Sequence, residues 1–180
     1  MQWNGIVRPF ASCQELEMGW AEHYVLGHPT VRRLEEALSA MLCLQVDVTN
    51  RGMSAIMSAV LALTKAGDTV ICSRDVYPGT KIWLDEMVKQ DRLRVIWWNP
   101  TAHKELEELF TSPRHTLAPK LIVTETIGNA PSMPVSDMDF LARFASTWKV
   151  PVVVDTTFTP LWSPNANGDH LVLVGSMTKY

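Results

Sequence analysis

Cysteine is scarce in this chain. Its 180 residues hold three, Cys13, Cys43 and Cys72, an odd number without close spacing. That pattern argues against a disulfide framework or a thiolate zinc site and fits a reducing, cytoplasmic compartment. Cys43 and Cys72 stand in apolar stretches, where a cysteine acts as a small buried hydrophobe. Positive charge is not in excess either: 16 Lys and Arg face 19 Asp and Glu, for a net charge of −3. A chain without a basic stripe has little to condense onto phosphate backbones, so nucleic acid is not expected as a partner. No run approaches the roughly 18 consecutive apolar residues of a membrane span, and the N-terminus lacks a charged segment leading into an apolar one. No membrane partner is expected, and the chain reads as soluble. The five histidines are scattered, and His23 and His28 bracket a glycine rather than standing four apart on a helix. No metal site is expected. The nine glycines contain neither G-x-G-x-x-G nor G-x-x-x-x-G-K-[ST], which disfavours dinucleotide dehydrogenases and P-loop enzymes.

What the chain does have is a normal apolar share, 47% hydrophobic, in a length that suits one domain at about 150 residues each. Short β-branched runs alternate with segments of helical period, the signature of βαβ units and a mostly parallel sheet with helices on both faces. The strands are predicted near 46–49, 69–73, 93–98, 120–126, 150–155 and 170–175. Pro29 opens a predicted helix, TVRRLEEALSAMLC, with Leu34, Leu38 and Leu42 along one face. MSAIMSAVLALTKAG reads as a buried helix stopped by Gly67, and KIWLDEMVKQ, HKELEELF and DMDFLARFAS read as amphipathic outer helices. Residues 1–23 have no clear period and read as an arm.

A doubly wound sheet binds its ligand at the carboxyl ends of its strands, so chemistry is sought at the strand-to-helix junctions. One junction is Asn50-Arg51-Gly52-Met53, a glycine turn feeding a helix; free N–H groups there suit an anion such as phosphate, although a plain tight turn has the same pattern. Another is RDVYPGT, which offers Tyr77 as a flat surface. A third carries Glu125 and then Asn129. Asp155 follows VPVVV directly, and a carboxylate there needs a partner because burying an unpaired charge is costly. The last junction, Gly175-Ser176-Met177-Thr178-Lys179-Tyr180, brings a lysine amine to the same edge. Anion cradle, aromatic plate, carboxylate and lysine together are what pyridoxal 5'-phosphate needs.

These segments resemble, in order, the motifs of the Cys/Met metabolism, or trans-sulfuration, family of pyridoxal-phosphate enzymes, which includes cystathionine γ-synthase, cystathionine γ-lyase, methionine γ-lyase and the homoserine sulfhydrylases. The likeness runs from Tyr24 to Tyr180. GHPTVRRLEEAL is similar to the family's G-N-P-T…L-E, TNRGMSAI to its glycine–methionine turn, and DVYPGT to D-V-Y-G-G-T. TETIGNAP is similar to E-T-P-S-N-P, VVVDTTF to V-V-D-N-T-F, and GSMTKY to H-S-x-T-K-Y. The resemblance implies a fold-type I transferase-like α/β fold, with residues 24–180 as part of the cofactor domain. It implies that Lys179 is the Schiff-base lysine and proton shuttle, that Asp155 pairs with the ring nitrogen, and that Thr157 supports the ring. Tyr77 would stack on the ring and assist in deprotonating the incoming amine, and Asn129 would approach its phenolic oxygen. Gly52, Met53, Ser176 and Thr178 would hold the phosphate.

The chain departs from the family in places. A tyrosine and an arginine that family members lend to the neighbouring subunit's site correspond to His23 and Val25. Arg51 stands where a small Ser or Thr is usual; it either supplies the missing cation to the phosphate or lies in solvent. Gly175 replaces His, Thr156 replaces Asn and Pro78 replaces Gly. Family chains also continue past this lysine into a C-terminal domain, so the chain is expected to be a partial product or to rely on a partner, and not to be active alone. The implied function is β- or γ-elimination or replacement on cystathionine or an activated homoserine, in a homo-oligomer when full length. A non-catalytic homologue that associates with a partner chain, and a pyridoxal-phosphate aminotransferase, are the alternative readings.

Overall fold

The structure, a computed structural model, describes residues 28–111, 119–160, 162 and 170–179. The arm expected over 1–23, its boundary with residue 24, and the departures at His23 and Val25 lie outside them. The chain divides into two compact units, residues 1–48 and 49–180.

In the first unit, helix α1 spans Pro29–Leu42. Pro29 suits the first turn because its missing N–H would have had no helical partner there. The His28 side chain caps the next free donor, accepting from the Thr30 N–H at 3.2 Å. The helix closes at Cys43, left-handed at φ 53°, ψ 35°, whose N–H bonds the Ser39 carbonyl. Cys43 is therefore an exposed helix cap, not the buried hydrophobe that its apolar neighbours suggested. The strand predicted over 46–49 is absent. That stretch is irregular because side chains of α1 take its donors: the Val46 N–H goes to Ser39 Oγ at 3.1 Å and the Val48 N–H to Glu35 Oε1 at 2.9 Å. β-Branched residues alone do not make a strand once its backbone is satisfied elsewhere.

The second unit is a five-stranded parallel sheet with helices on both faces. Its strands are β1 (Asp68–Ser73), β2 (Leu93–Trp98), β3 (Leu121–Glu125), β4 (Val152–Asp155) and β5 (Leu171–Val174). Its helices are α2 (Gly52–Leu63), α3 (Pro78–Lys89), α4 (His103–Thr111) and α5 (Met138–Trp148). The sheet order is β2-β1-β3-β4-β5. Every pairing is parallel, with Val70 opposite both Val95 and Leu121, Val123 opposite Val153, and Asp155 opposite Val174.

Strands covered on both faces need apolar residues at successive positions, which is why the middles of β1, β3 and β4 read as short apolar runs. Successive side chains then divide between two cores. Val70, Cys72, Leu121, Val123 and Val153 pack with Ile56 and Val60 of α2 and Leu84 of α3. Ile71, Ile122, Val152 and Val154 pack on the other face with Leu106 of α4 and with Leu141 and Phe144 of α5. Each fully buried aliphatic side chain contributes roughly 1.5–3 kcal/mol. Trp98, also fully buried, satisfies its indole N–H on the Ala102 carbonyl at 3.1 Å.

The glycine stop expected for α2 lies elsewhere. The helix ends at Leu63, where Thr64 turns extended and its hydroxyl donates to the Val60 carbonyl at 2.7 Å. Gly67, at φ +86°, serves the turn into β1 and donates its N–H to the Arg92 carbonyl. Nor is α2 buried all round, since Leu61 is 52% exposed.

Candidate functional site

The carboxyl ends of β1, β3, β4 and β5 bring the sequence-derived residues to one edge of the sheet. After β5, Gly175 and Ser176 lead into a short 3-10 helix, Met177–Lys179. Ser176 lies against the first residue of α2. A Cβ on Gly52 would fall 2.7 Å from Ser176 Cβ, 3.1 Å from its Oγ and 3.3 Å from its Cα. The turn ahead of α2 and the loop that carries Lys179, more than a hundred residues apart in sequence, are thus in direct contact. The N-terminal N–H groups of α2 lack helical acceptors, and its positive dipole end favours negative charge. Gly52, Met53 and Ser176 are half-buried there, while Thr178 and Lys179 are exposed.

The Ser176 loop is also tied to β4. Its N–H donates to Thr157 Oγ1 at 2.9 Å, and the Thr157 N–H donates to Asp155 Oδ1 at 2.8 Å. Thr156 donates twice to the Val174 carbonyl, from its N–H at 2.7 Å and its hydroxyl at 3.1 Å. Asp155 is half-buried, so the carboxylate expected to be buried here keeps some access.

Tyr77 caps α3, with Pro78 at the first helical position. Its ring crosses Gly79, where a Cβ would come 2.5 Å from Tyr77 Cε1 and 3.3 Å from Met53 Sδ. Tyr77 as a whole is 45% exposed, and its ring carbons lie against Gly79. The loop after β3 holds Asn129, whose N–H donates to the Asp75 carbonyl at 2.6 Å.

Sequence reasoning left one residue at this edge without a role. Glu125, at the end of β3, is only 5% exposed. Its Oε1 accepts the Tyr77 N–H at 2.5 Å and its Oε2 accepts from Asn129 Nδ2 at 2.7 Å. Burial raises its pKa to about 7; the two donors oppose that rise and the charge of Asp155, its register partner on β4, adds to it. The available signal was an acid at the end of a strand that opens on the apolar run 121–123. Cys72, beneath on β1, is a fully buried thiol whose pKa burial pushes well up, so it is unreactive. Arg51, at the N-cap of α2, is exposed and makes no ion pair among the described residues. No group of three His, Cys, Asp or Glu suited to a metal occurs among the described residues.

A family model for Cys/Met metabolism PLP-dependent enzymes matches residues 11–180. The chain belongs to this family. It is 34% identical over 156 residues to a cystathionine beta-lyase of Staphylococcus haemolyticus, an alignment covering 86% of this chain and 38% of that protein. The structure of cystathionine gamma synthase from Xanthomonas oryzae pv. oryzae, in complex with aminoacrylate and cysteine, superposes at a TM-score of 0.64 with 28% identity, covering 73% of this chain and 33% of that one. A putative O-acetylhomoserine (thiol)-lyase of Campylobacter jejuni, carrying a pyridoxyl-lysine phosphate, shares the fold at a TM-score of 0.74 and 21% identity, over 99% of this chain and 44% of that one. The chain thus spans about two fifths of the length of such relatives, and its fold is the fold-type I arrangement expected from its motifs. The described part has no helix long and apolar enough to cross a membrane.

Proposed function

We propose that residues 24–180 form part of the cofactor domain of a pyridoxal-phosphate enzyme catalysing β- or γ-elimination or replacement on a sulfur- or oxygen-bearing amino acid such as cystathionine or an activated homoserine. The observation that carries this reading is the contact of Gly52 with Ser176, which sets an anion-binding helix start beside the lysine loop. The fit to the cofactor rests on the same point. The absent Cβ at Gly52 lets Ser176 pack against the start of α2, whose first N–H groups have no helical acceptor, and the Ser176 and Thr178 hydroxyls stand in the adjoining loop.

In this reading Gly52, Met53, Ser176 and Thr178 hold the phosphate, with Arg51 as an added cation from the same chain. Tyr77 would stack on the ring and assist in deprotonating the incoming amine. Asn129 meets the phenolic oxygen, and Thr157 supports the ring. The Asp155 carboxylate keeps the pyridine nitrogen protonated; Thr157 orients it through its N–H. Lys179, free of ion pairs among the described residues, is the attachment point and moves protons at Cα and Cβ. The cofactor supplies an electron sink for carbanions. The relatives named above support the class of reaction. The reading carries with it a cytoplasmic setting and a homo-oligomeric full-length protein.

The test is to mix the chain with pyridoxal phosphate, reduce with borohydride and map the adduct by mass spectrometry. A pyridoxyl group on Lys179 that Lys179→Ala abolishes supports the reading. Absence of the adduct in the wild-type chain refutes cofactor attachment here.

A further inference from the structure

We infer that Glu125 is a positioning residue for this site, its buried carboxylate holding the stacking residue Tyr77 and the amide of Asn129 to a single anchor on β3. This rests on the function proposed above. The two held residues come from different loops, one after β1 and one after β3, and each is bonded by a different oxygen of the same carboxylate, at 2.5 and 2.7 Å. Both partners are donors that aim an N–H at Glu125. Only a carboxylate has two acceptor oxygens to meet them; a glutamine of the same shape would turn an NH₂ toward one donor. The loops are also joined to each other, through the Asn129 N–H on the Asp75 carbonyl and the Ser132 hydroxyl on Asp75 Oδ1, both at 2.6 Å. Glu125 fixes that joined pair to the sheet.

The groups that bear on its charge are Asp155 from β4 and the Cys72 thiol from β1, and no cation pairs with it among the described residues. Burial and Asp155 therefore favour the proton while the two N–H donors favour its loss, and the carboxyl settles at about 7. Protonation converts one oxygen into a donor that faces a donor. The anchor is accordingly complete above neutrality and loosened below it.

The experiment follows the Tyr77 backbone amide and the Asn129 side-chain amide by ¹H–¹⁵N spectroscopy in the chain without cofactor, from pH 5 to 9. Both signals are expected to shift together with one midpoint near 7, and in Glu125→Gln both are expected to lose that titration. Glu125→Asp, which keeps two acceptor oxygens, should restore part of it. Separate midpoints, or signals indifferent to pH in the wild-type chain, overturn the inference even if Glu125→Gln does not fold. A second arm titrates pyridoxal phosphate by absorbance. Its affinity should fall roughly tenfold in Glu125→Gln, the scale of a lost hydrogen bond to a charged group, and recover in part in Glu125→Asp. Equal affinity in wild type and Glu125→Gln also overturns it. Failure of the wild-type chain to bind pyridoxal phosphate refutes the proposed function instead, and the amide signals still decide what Glu125 holds.

Discussion

Replacing Gly52 with alanine tests the contact on which the site is built. The new methyl carbon would lie 2.7 Å from Ser176 Cβ and 3.3 Å from Ser176 Cα. Carbon atoms in ordinary contact sit about 3.5–4.0 Å apart, so the overlap is near 1 Å. Ser176 cannot relieve it by rotating its hydroxyl, because its Cβ and Cα are fixed to the backbone. Either α2 or the Ser176 loop must retreat. Overpacking of this kind costs about 1–3 kcal/mol, offset by up to ~1 kcal/mol from the better helix propensity of alanine. A net loss of about 1–2 kcal/mol corresponds to a fall in Tm of roughly 2–8 °C for a chain of this size. Pyridoxal phosphate affinity should fall as well, because the retreat separates the helix start from the Ser176 hydroxyl. Gly67→Ala is the control. At φ +86° with nothing within 4 Å of the added carbon, it meets backbone strain of roughly 1–2 kcal/mol but no clash, and it leaves cofactor affinity unchanged. Circular-dichroism melts and a cofactor titration of both variants decide the matter. If Gly52→Ala melts and binds like wild type, the contact does not organise the site.

Two further outcomes follow from burial. Burial raises the pKa of Glu125 from the ordinary carboxylate value of 4.5 to about 7. The folded chain therefore holds a proton between those values that the unfolded chain has released, and this group's contribution is greatest at low pH and lost as pH rises toward 7. At roughly 1.4 kcal/mol per unit the loss is about 3 kcal/mol. Urea unfolding at pH 5 and 8 should show wild type losing more stability over that interval than Glu125→Gln, and equal losses would contradict the assignment. Leu84 is fully buried in the core beside α2, so Leu84→Ala should cost about 2–5 kcal/mol. Ile82→Ala, two residues away on the same helix but 65% exposed, should change stability by less than about 0.5 kcal/mol in the same assay.

The fold was most legible where both faces of a strand are covered. The middles of β1, β3 and β4, residues 70–72, 121–123 and 152–154, are consecutive apolar residues because neighbours feed opposite cores, and such short β-branched runs bounded by polar residues read as buried strands. The same criterion misled at VDVT. Its residues suit a strand, but Glu35 and Ser39 of α1 take the donors a sheet neighbour would have taken. Both acceptors are polar residues on a helix with an exposed face, where nothing in their identity announces a backbone partner. The misplaced end of α2 has a similar origin: a threonine hydroxyl bonded to its own helix ended the element ahead of the glycine that looked like its stop.

At the site, legibility follows the distinction between side chains and backbone. Asp155 stands out in the sequence as a carboxylate at the end of an apolar run, and Tyr77 and Lys179 as chemically distinctive residues in the junctions that follow β1 and β5; the sheet carries them to one edge without any need to know their contacts. Glu125 has the same kind of position, yet its purpose depends on what points at it. One of its two partners, Asn129, lies four residues on and was visible as a nearby amide. The other is a main-chain N–H 48 residues away, a donor that every residue except proline possesses. An acid in a buried strand signals that donors must exist, since an unsatisfied carboxylate there costs too much to keep. Which loop supplies them depends on how β1 and β3 lie side by side. That pairing, with Val70 beside Leu121 and Cys72 beside Val123, brings the turn after β1 over the end of β3 and makes an anonymous amide the partner of Glu125.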